Sequence, residues 1–308
     1  VGSDDGLVHV TRDGGATWSN VTPPDMPKHT RVSAIDASPH ERATAYVAGK
    51  RYEMADRRPY LWKTNDYGAT WTRIQNGIAA GHFTHVVRED PVRRGLLFCG
   101  TEHGVYISFD DGAAWQPLQL NLPDVHVPDL EIREDDVVIA THGRSFWVLD
   151  NISPLRQLTP AIASSDVHVF DPASEVLNVD PVHIDYYLAQ PARQVAVEIV
   201  DDGGRRARRL VDDQPVSGMN RIAWDGFYEP PTIWDGIVLE GGMPQGPFAP
   251  PGEYEARVNI DGRLFTRSFE SLIDPRHHEY TVADLQAQFE LALRIREQTT
   301  IANEIVLM

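Results

Sequence analysis

An eight-residue pattern occurs three times in the first 115 residues of the chain. The pattern is Ser/Thr-x-Asp-x-Gly-x-x-Trp, and its copies are Thr11–Trp18, Thr64–Trp71 and Ser108–Trp115. A run rich in β-branched and aromatic residues precedes each copy. Repetition at a spacing of tens of residues is typical of folds built from one repeated supersecondary unit. The pattern therefore predicts a repeat architecture for this part of the chain.

Each copy is predicted to form the turn of a β-hairpin. An Asp side chain in a turn accepts hydrogen bonds from nearby backbone N–H groups, and a Ser or Thr hydroxyl satisfies another. Gly adopts a backbone conformation that strains other residues, and Trp buries a large surface at the start of the next strand. Folding alone explains these predicted structural residues: Thr11, Asp13, Gly15, Trp18, Thr64, Asp66, Gly68, Trp71, Ser108, Asp110, Gly112 and Trp115.

The three copies resemble the Asp-box, or BNR repeat, of sialidase-like β-propellers, sortilin-type propellers, some xyloglucanases and photosystem assembly factors. The resemblance implies that each copy belongs to one propeller blade. It also implies that the turn lies on the outer hairpin of its blade, away from the ligand pocket. The order of segments resembles the carboxy-terminal part of large bacterial proteins labelled glycosyl hydrolase or sortilin-like BNR-repeat proteins.

Strand signals in residues 1–160 predict about three and a half blades. Closed propellers typically carry 4–8 blades. An open arc would leave unpaired strand edges, which favour aggregation. We therefore expect the chain to be a carboxy-terminal fragment, with the remaining blades of the same protein as its first partner.

Residues 166–275 are predicted to form a β-sandwich, because short strands alternate there with turn signals. The stretch Gly218–Gly226, followed by Ala249–Tyr254, resembles the immunoglobulin-like module of flagellar hook-capping proteins. Between them lies a Pro- and Gly-rich insert, Tyr228–Phe248, that is longer than such a module needs. Long loops often carry function, but a plain surface loop explains the insert equally, and its role stays open.

Residues 281–308 are predicted to form one amphipathic helix. Thr281 and Asp284 form a variant of the capping box, and Leu285, Phe289 and Leu293 form an apolar stripe. The stripe needs a partner, which is the sandwich, a following helix or a second protomer. We favour a helical hairpin or a homodimer contact. The predicted fold class is thus mainly β: a partial Asp-box propeller, an Ig-like β-sandwich and a carboxy-terminal α-helix.

Composition restricts the function classes. The formal net charge is −17, which argues against nucleic acid and anionic membranes as partners. No apolar run approaches the ~20 residues of a membrane span. Cys99 is the only cysteine, and a buried core role is the simplest interpretation. The histidines lack zinc-site spacing, and no phosphate loop or dinucleotide fingerprint occurs. The sequence therefore predicts no cofactor and no metal site.

Glycoside hydrolysis is the enzymatic alternative. A sialidase needs three arginines around a carboxylate, because Arg binds carboxylates with bidentate geometry, and no such set is recognisable here. Other glycosidases need two carboxyl groups about 5–10 Å apart. The adjacent acid pairs in this chain fall almost entirely at predicted turns, where solvated acids are common. A hydrolase would therefore carry its catalytic residues mainly in blades outside this chain.

The run Ala140–Trp147 holds the strongest candidates for a ligand contact. It is predicted to link inner strands of the last blade, where side chains face the central channel. A histidine such as His142 can donate or accept a hydrogen bond through its ring nitrogens, and Arg144 can hold an anion. Arg88 is a third candidate for a channel-facing residue. The alternative is a structural strand turn in which Arg144 pairs with an acid such as Asp150.

The predicted function is recognition and scaffolding without catalysis in this segment. The expected protein is bacterial and secreted, periplasmic or displayed on the cell surface, with a glycan or a peptide as its ligand. Two alternatives stay open: part of a sialidase-like glycoside hydrolase, and a sortilin-like propeller that binds peptides in its channel. The predicted domains are residues 1–160, 166–275 and 281–308.

Overall fold

The structure is a computed structural model that describes residues 1–177, 179–234 and 242–307. The chain divides into two compact units, Val1–Ile152 and Ser153–Met308. The division falls before the predicted domain end at 160. Residues 153–163 carry two short helices that the sequence did not predict, and these belong to the second unit.

The first unit consists of antiparallel sheets. Its strands are β1 (His9–Val10), β2 (Ser19–Asn20), β3 (Arg31–Ala37), β4 (Ala45–Arg51), β5 (Asp56–Thr64), β6 (Thr72–Arg73), β7 (Thr84–Glu89), β8 (Leu97–Thr101), β9 (Gly104–Ser108), β10 (Gln116–Pro117), β11 (Asp129–Arg133), β12 (Asp136–Ala140) and β13 (Phe146–Leu149). Each strand pairs with the next one in its sheet. The sheets are β1-β2, β3-β4-β5-β6, β7-β8-β9-β10 and β11-β12-β13.

These sheets are propeller blades. The first strand of the third sheet, β7, packs against β3 of the sheet before it and β11 of the sheet after it. Successive four-stranded meanders whose first strands are neighbours form the radial arrangement of a propeller. Apolar side chains fill the space between the second and third blades, where Tyr46 and Leu61 meet Val87, Leu97 and Tyr106. The first unit is therefore mainly β and built from blades.

Each blade has two distinct ends. In an antiparallel meander, the start of the first strand and the loop between the second and third strands lie at the same end. We call this end the loop face; it carries the segments before β3, β7 and β11 and the loops β4–β5, β8–β9 and β12–β13. The second and third turns of the repeated pattern follow β5 and β9, the third strands of their blades, and lie at the other end, which we call the turn face. The first turn joins β1 to β2 in the same way.

Bulges interrupt the strand pairing near the loop face. The register of β4 and β5 shifts between Gly49 and Arg51, and that of β7 and β8 shifts between Thr84 and Val86. A bulge leaves one residue without a paired neighbour and re-aims its side chain. Lys50 and His85 are the residues at these two positions.

The second unit contains a β-sandwich. Its strands are β14 (Val167–Val169), β15 (Val182–Leu188), β16 (Val195–Asp201), β17 (Arg206–Asp212), β18 (Gly218–Trp224), β19 (Gly252–Ile260) and β20 (Arg263–Ser271). They form the sheets β14-β15-β18 and β17-β16-β19-β20. One buried cluster joins the two sheets, with Ile184 and Tyr186 from the first and Val197, Ile199 and Val258 from the second. Alternating burial along β16 and β19 supplies these inward residues.

The described residues of the second unit also form three helices: α1 (Ser153–Gln157), α2 (Pro160–Ala163) and α3 (Val282–Leu307). The capping box at the start of α3 is present. Backbone N–H of Thr281 donates to Asp284 Oδ2 (2.8 Å), and backbone N–H of Asp284 donates to Thr281 Oγ1 (3.3 Å). Residue 308, the last of the predicted helix, lies outside the described residues.

The partner of the α3 stripe differs from the one we favoured. Phe289 and Leu293 are buried in the core cluster of the sandwich, and the Phe289 ring lies 4.7 Å from that of Tyr228. The stripe is thus covered within its own unit. A homodimer or a helical hairpin through this stripe was the wrong expectation, because the apolar surface needed for it is already buried.

Part of the insert Tyr228–Phe248 lies outside the described residues. Its described ends are anchored. Backbone N–H of Tyr228 donates to the Pro247 carbonyl (2.8 Å), and Asn303 Nδ2 of α3 donates to the Thr232 carbonyl (2.8 Å).

Within the described part of the chain, none of the helices combines the length and the apolar character that a membrane span requires.

Candidate functional site

A row of aromatic rings crosses the loop face over three successive blades. It begins in the β4–β5 loop, passes the start of β7 and ends in the β12–β13 loop. Neighbouring ring centroids are 4.9, 4.9, 4.2 and 5.6 Å apart. We call this set the histidine row; its members are Tyr52, Phe83, His85, His126 and His142.

Buried hydrogen bonds fix the centre of the row. Thr84 Oγ1 donates to the carbonyls of Gly49 (3.1 Å) and Tyr60 (2.9 Å), and it accepts from the backbone N–H of Tyr60 (3.2 Å). Thr84 is fully buried, so this contact ties the start of β7 to the neighbouring blade. His85 follows Thr84 directly and is thereby held against Lys50.

Lys50 and His85 face each other across the two blades. Lys50 Nζ lies 3.4 Å from His85 Nδ1 and 5.8 Å from the centroid of Tyr52. Burial, with smaller contributions from the neighbouring His126 and Lys50 charges, lowers the pKa of His85 to about 3. Burial also lowers the pKa of Lys50, with a contribution from Arg31. His85 is therefore neutral at neutral pH, and its Nδ1 accepts a hydrogen bond from the Lys50 ammonium.

Two ring nitrogens of the row are buried without a hydrogen-bond partner in the described structure, Nε2 of His85 and Nε2 of His126. Buried polar atoms are nearly always satisfied, and each exception calls for an explanation. Burial also lowers the pKa of His126, and the neighbouring His142 makes a smaller contribution in the same direction. The two adjacent imidazoles thus hold unused hydrogen-bonding capacity in the middle of the face.

A second pair of histidines lies beside the row. The rings of His82 and His103 are 4.4 Å apart. The Tyr106 hydroxyl and His82 Nδ1 are 2.9 Å apart, and His103 Nδ1 lies 2.9 Å from Asp124 Oδ1. Burial lowers the pKa of His82, and the neighbouring His103 adds to this effect. Both nitrogens are engaged, so this pair is a structural flank of the row.

Carboxylates of the loop face are engaged in ion pairs. Asp4 Oδ1 lies 3.1 Å from Arg31 Nε, Glu102 lies 3.2 Å from Arg57, and Asp124 contacts His103.

Asp56 belongs to the same face and binds Arg58 (2.8 Å) and the Tyr60 hydroxyl (2.8 Å). The hydrogen bonds from Arg58 hold its pKa far below the ordinary value. A carboxyl group held in this way is a poor proton donor at neutral pH.

Of the three residues singled out as channel-facing, only His142 joins the row. Its ring stacks on that of His126, and its backbone N–H donates to the His126 carbonyl (2.9 Å). Arg144 is exposed, and its carbonyl accepts from Trp147 Nε1 (3.0 Å). Arg88 lies further along β7 and pairs with Asp129 (3.0 Å) of β11. The channel-facing role of these residues stays a prediction.

The repeated turns lie on the turn face, opposite the row. In the first, Thr11 Oγ1 donates to Asp13 Oδ1 (2.9 Å) and accepts from the Gly15 N–H (2.8 Å). Asp13 also accepts from the Thr17 backbone N–H (2.9 Å) and hydroxyl (2.6 Å). The hydrogen bonds from Thr17 lower the pKa of Asp13 to about 2. In this first turn, the Thr and Asp side chains are thus satisfied within the turn itself.

The other two turns repeat this geometry. Asp66 accepts from the Thr64 hydroxyl (2.8 Å) and the Thr70 N–H (2.8 Å). Asp110 accepts from the Ser108 hydroxyl (2.8 Å) and the Ala114 N–H (2.9 Å). The N–H groups of the two glycines, Gly68 and Gly112, donate to the Thr64 and Ser108 hydroxyls. The shared hydrogen bonds explain why these residue types recur.

The three tryptophans differ in what they contact. Trp71 Nε1 donates to the Val21 carbonyl (2.6 Å) and Trp115 Nε1 donates to the Ile74 carbonyl, so each reaches the preceding blade. Trp18 Nε1 donates to Gly15 within its own turn (3.2 Å). Trp115 is 5% exposed and Trp18 is 48% exposed. The second and third tryptophans therefore join blades, whereas the first closes only its hairpin.

Lys50, His85 and His126 were missed as site residues. A histidine stands at or just before the first strand of each later blade: His29 before β3, His85 within β7 and His126 before β11. Aligning the blades on their first strands, rather than on the turns, would have revealed this recurrence. Groups of three or more His, Cys, Asp or Glu residues able to hold a metal are absent from the described part of the chain.

Comparisons with known proteins return structural likeness only. No protein-family model matches the chain, and no curated protein matches it. Similar solved structures include YCF48 bound to a D1 peptide (14% identity, TM-score 0.38, 68% of this chain and 63% of that one). Others are a GH74 xyloglucanase from Xanthomonas campestris (13%, 0.38, 86% and 42%) and FlgD from P. aeruginosa (24%, 0.19, 34% and 66%).

The chain spans less than two thirds of the length of each of these three structures. Their TM-scores lie below 0.5, so the assignment of propeller blades rests on the strand order and blade packing described above.

Proposed function

We propose that the first unit is a non-catalytic recognition module of an Asp-box propeller protein and that it binds a peptide on the loop face. The observation that carries the proposal is the histidine row, which places five rings from three blades in contact. A continuous row on the face away from the repeated turns offers a rigid surface for an extended ligand. Aromatic side chains supply contact area at low conformational cost.

Hydrogen-bonding balance favours a peptide over a glycan. The carboxylates of the face, among them Asp56 and Glu102, are engaged with arginines. Lys50 and two buried imidazole nitrogens have hydrogen-bonding capacity to spare. Each sugar hydroxyl both donates and accepts, whereas a peptide also presents carbonyl and carboxylate oxygens, which only accept. The exposed side chains of Tyr52 and Met54 add apolar contact area.

The same balance supports recognition over glycoside hydrolysis. A glycosidase needs a carboxylic acid with a raised pKa opposite a second carboxyl group. On the loop face, Asp56 has a lowered pKa. Burial raises the pKa of Asp36 on β3, but its Oδ2 accepts from the Glu89 backbone N–H (2.8 Å) and is committed to the blade.

The finer family assignment belongs to the same proposal. The geometry of the repeated turns supports the Asp-box, and the sandwich with its following helix is compatible with the hook-capping type of Ig-like module. We place the protein outside the cytoplasm of a bacterium, as a secreted, periplasmic or surface protein. Fractionation of cells that express the full open reading frame tests this location, and recovery in the cytoplasm alone contradicts it.

A screen for peptide binding tests the function. A random peptide library displayed on phage is panned against the full chain, and enriched peptides are measured by fluorescence anisotropy. We expect Tyr52→Ala and His142→Ala each to weaken binding about tenfold, since a buried aromatic contact contributes more than 1 kcal/mol. Tyr67→Ala on the turn face is the control and should leave the affinity unchanged.

Two results would overturn this function. One is the absence of enriched peptides together with specific binding on a glycan array. The other is peptide affinity that responds to Tyr67→Ala but not to the variants of the loop face. Circular dichroism of each variant separates loss of binding from loss of fold.

We propose instead that a homodimer forms through the opposite side of α3. Exposed residues there recur at spacings of four and three, as in a coiled-coil seam, and Leu291, Ile295 and Ile305 are 51%, 59% and 67% exposed. The seam is symmetric about its central residue. In an antiparallel dimer, Leu291 of one copy would lie opposite Ile305 of the other. The side-chain amide of Gln298, which both donates and accepts hydrogen bonds, would lie opposite its own counterpart. The seam residues are Leu291, Ile295, Gln298, Ala302 and Ile305.

Sedimentation velocity of the full chain tests the dimer. We expect a concentration-dependent dimer that Ile295→Glu converts to a monomer, whereas Val211→Glu, at another exposed apolar residue, leaves it intact. A monomer at all concentrations, or a dimer that persists in Ile295→Glu, contradicts the proposal.

A further inference from the structure

A cation without a carboxylate partner lies at the centre of the loop face. Lys50 is one of three lysines in the chain, and within residues 1–177, 179–234 and 242–307 no carboxylate oxygen lies within 4.0 Å of its Nζ. Its short contact is with the neutral ring of His85. The arginines around it, such as Arg31 and Arg57, are paired with acids. Asp4 and Glu53, which pair with Arg31, act on Lys50 only from a longer distance.

The tautomer of His85 follows from this contact. A protonated Lys50 donates to Nδ1, so the ring proton of neutral His85 is on Nε2. His85 is 3% exposed, and its Nε2 has no acceptor in the described structure. An unmatched N–H in a buried position costs about 1–3 kcal/mol. Such a cost is expected where a ligand, rather than the protein, supplies the acceptor.

His126 extends the same unsatisfied region. Its ring centroid is 4.2 Å from that of His85, and its Nε2 is also buried without a partner. The exposed ring of His142 stacks on its other side.

We infer that Lys50, His85 and His126 form a subsite for a carboxylate group of the ligand. The inference rests on the peptide recognition proposed above and specifies its chemistry. A carboxylate carries a negative charge that complements the charge of Lys50, and its two oxygens accept hydrogen bonds from the Nε2 donors of the two adjacent imidazoles. The bulges at Lys50 and His85 place these two residues side by side, out of the ordinary alternation of their strands.

Two kinds of peptide carboxylate share this chemistry, the carboxy-terminus and an Asp or Glu side chain. Short peptides with a free carboxy-terminus, and amidated peptides with one internal Glu, distinguish them. Preference for the first indicates a site for chain ends; preference for the second indicates an internal acidic residue.

The test uses acetate as the probe, so that it does not depend on a peptide ligand. The chain is labelled with ¹⁵N-histidine, and its imidazole signals are followed during titration with acetate or with the neutral isostere acetamide. We expect saturable shifts of the His85 and His126 signals with acetate only. Lys50→Met should weaken acetate binding about tenfold, whereas Lys28→Met, at an exposed lysine elsewhere, should not.

Failure of the inference and failure of the proposed function are distinguishable. If enriched peptides bind but acetate gives no saturable shift, or binds equally to Lys50→Met, the carboxylate subsite is wrong and peptide recognition stands. If acetate binds as expected but no peptide does, the subsite stands and the peptide function is wrong. Shifts with inorganic phosphate but not with acetate would also overturn the carboxylate assignment.

Discussion

The unequal burial of the repeated tryptophans predicts an unequal stability cost of removing them. Trp115→Ala removes a ring that contacts the preceding blade and is only 5% exposed. Its Nε1 hydrogen bond to the Ile74 carbonyl is lost as well. Trp18→Ala removes the same side chain from the same turn geometry, but at a site that is 48% exposed. The pair is therefore a matched comparison of blade joining against turn closure.

The expected magnitudes follow from the buried area. A buried Trp removes about 150–250 Å² from water, which at about 25 cal/mol per Å² corresponds to about 4–6 kcal/mol. Measured Trp→Ala costs in cores are about 3–5 kcal/mol, and we expect this range for Trp115→Ala. For Trp18→Ala, with half the ring already in water, we expect about half of this range, about 1.5–2.5 kcal/mol.

Hydrogen exchange measured by mass spectrometry suits this chain, because two compact units give overlapping signals in a global unfolding experiment. A loss of 3 kcal/mol raises the exchange rate of globally protected amides about 100-fold. We expect this increase in β8 and β9 for Trp115→Ala, and a smaller increase, of at least about tenfold, in the same strands for Trp18→Ala.

Equal rates in the two variants would refute the interpretation that the third tryptophan joins blades. A stability cost below 1 kcal/mol for Trp115→Ala would also refute it, since burial of the ring would then contribute far less free energy than its buried area predicts. Trp115→Phe, which keeps most of the ring but not the N–H donor, should lie between the wild type and Trp115→Ala.

Three further predictions concern the first unit. Gly112→Ala should cost about 2–4 kcal/mol, measured by hydrogen exchange of β8 and β9, because a Cβ there lies 2.8 Å from Ile74 Cδ1 at a φ of +85°. Gly14→Ala, where the added Cβ meets open space, should cost about 1–2 kcal/mol. Burial holds the pKa of His85 at about 3 against 6.5 in the unfolded chain. The unfolded state therefore binds more protons, and stability should fall as pH drops from 6.5 towards 3, with a shallower fall in His85→Gln; identical pH profiles would contradict this. Burial raises the pKa of the Cys99 thiol, so a thiol reagent should react only in step with urea unfolding, and rapid reaction of the folded chain would count against it.

Local patterns were sufficient for the blades and the sandwich strands. The turns are closed by hydrogen bonds among residues at most four apart, such as Thr11 with Gly15 and Asp13 with Thr17. The eight-residue pattern therefore contains all the residues that form these hydrogen bonds. Strand alternation likewise needs only neighbouring residues. The capping box of Thr281 and Asp284 is equally local. These features were therefore readable without knowledge of any tertiary contact.

The histidine row and the covering of α3 depend on contacts that no local pattern contains. Lys50 and His85 are 35 residues apart in sequence and meet because two blades pack and each strand carries a bulge. Periodicity shows that the face of α3 with Phe289 is apolar, but not that the sandwich covers it. A repeat period reveals which residues are equivalent in each blade; the packing of one blade on the next decides which side chains meet, since that depends on sheet twist and bulge position.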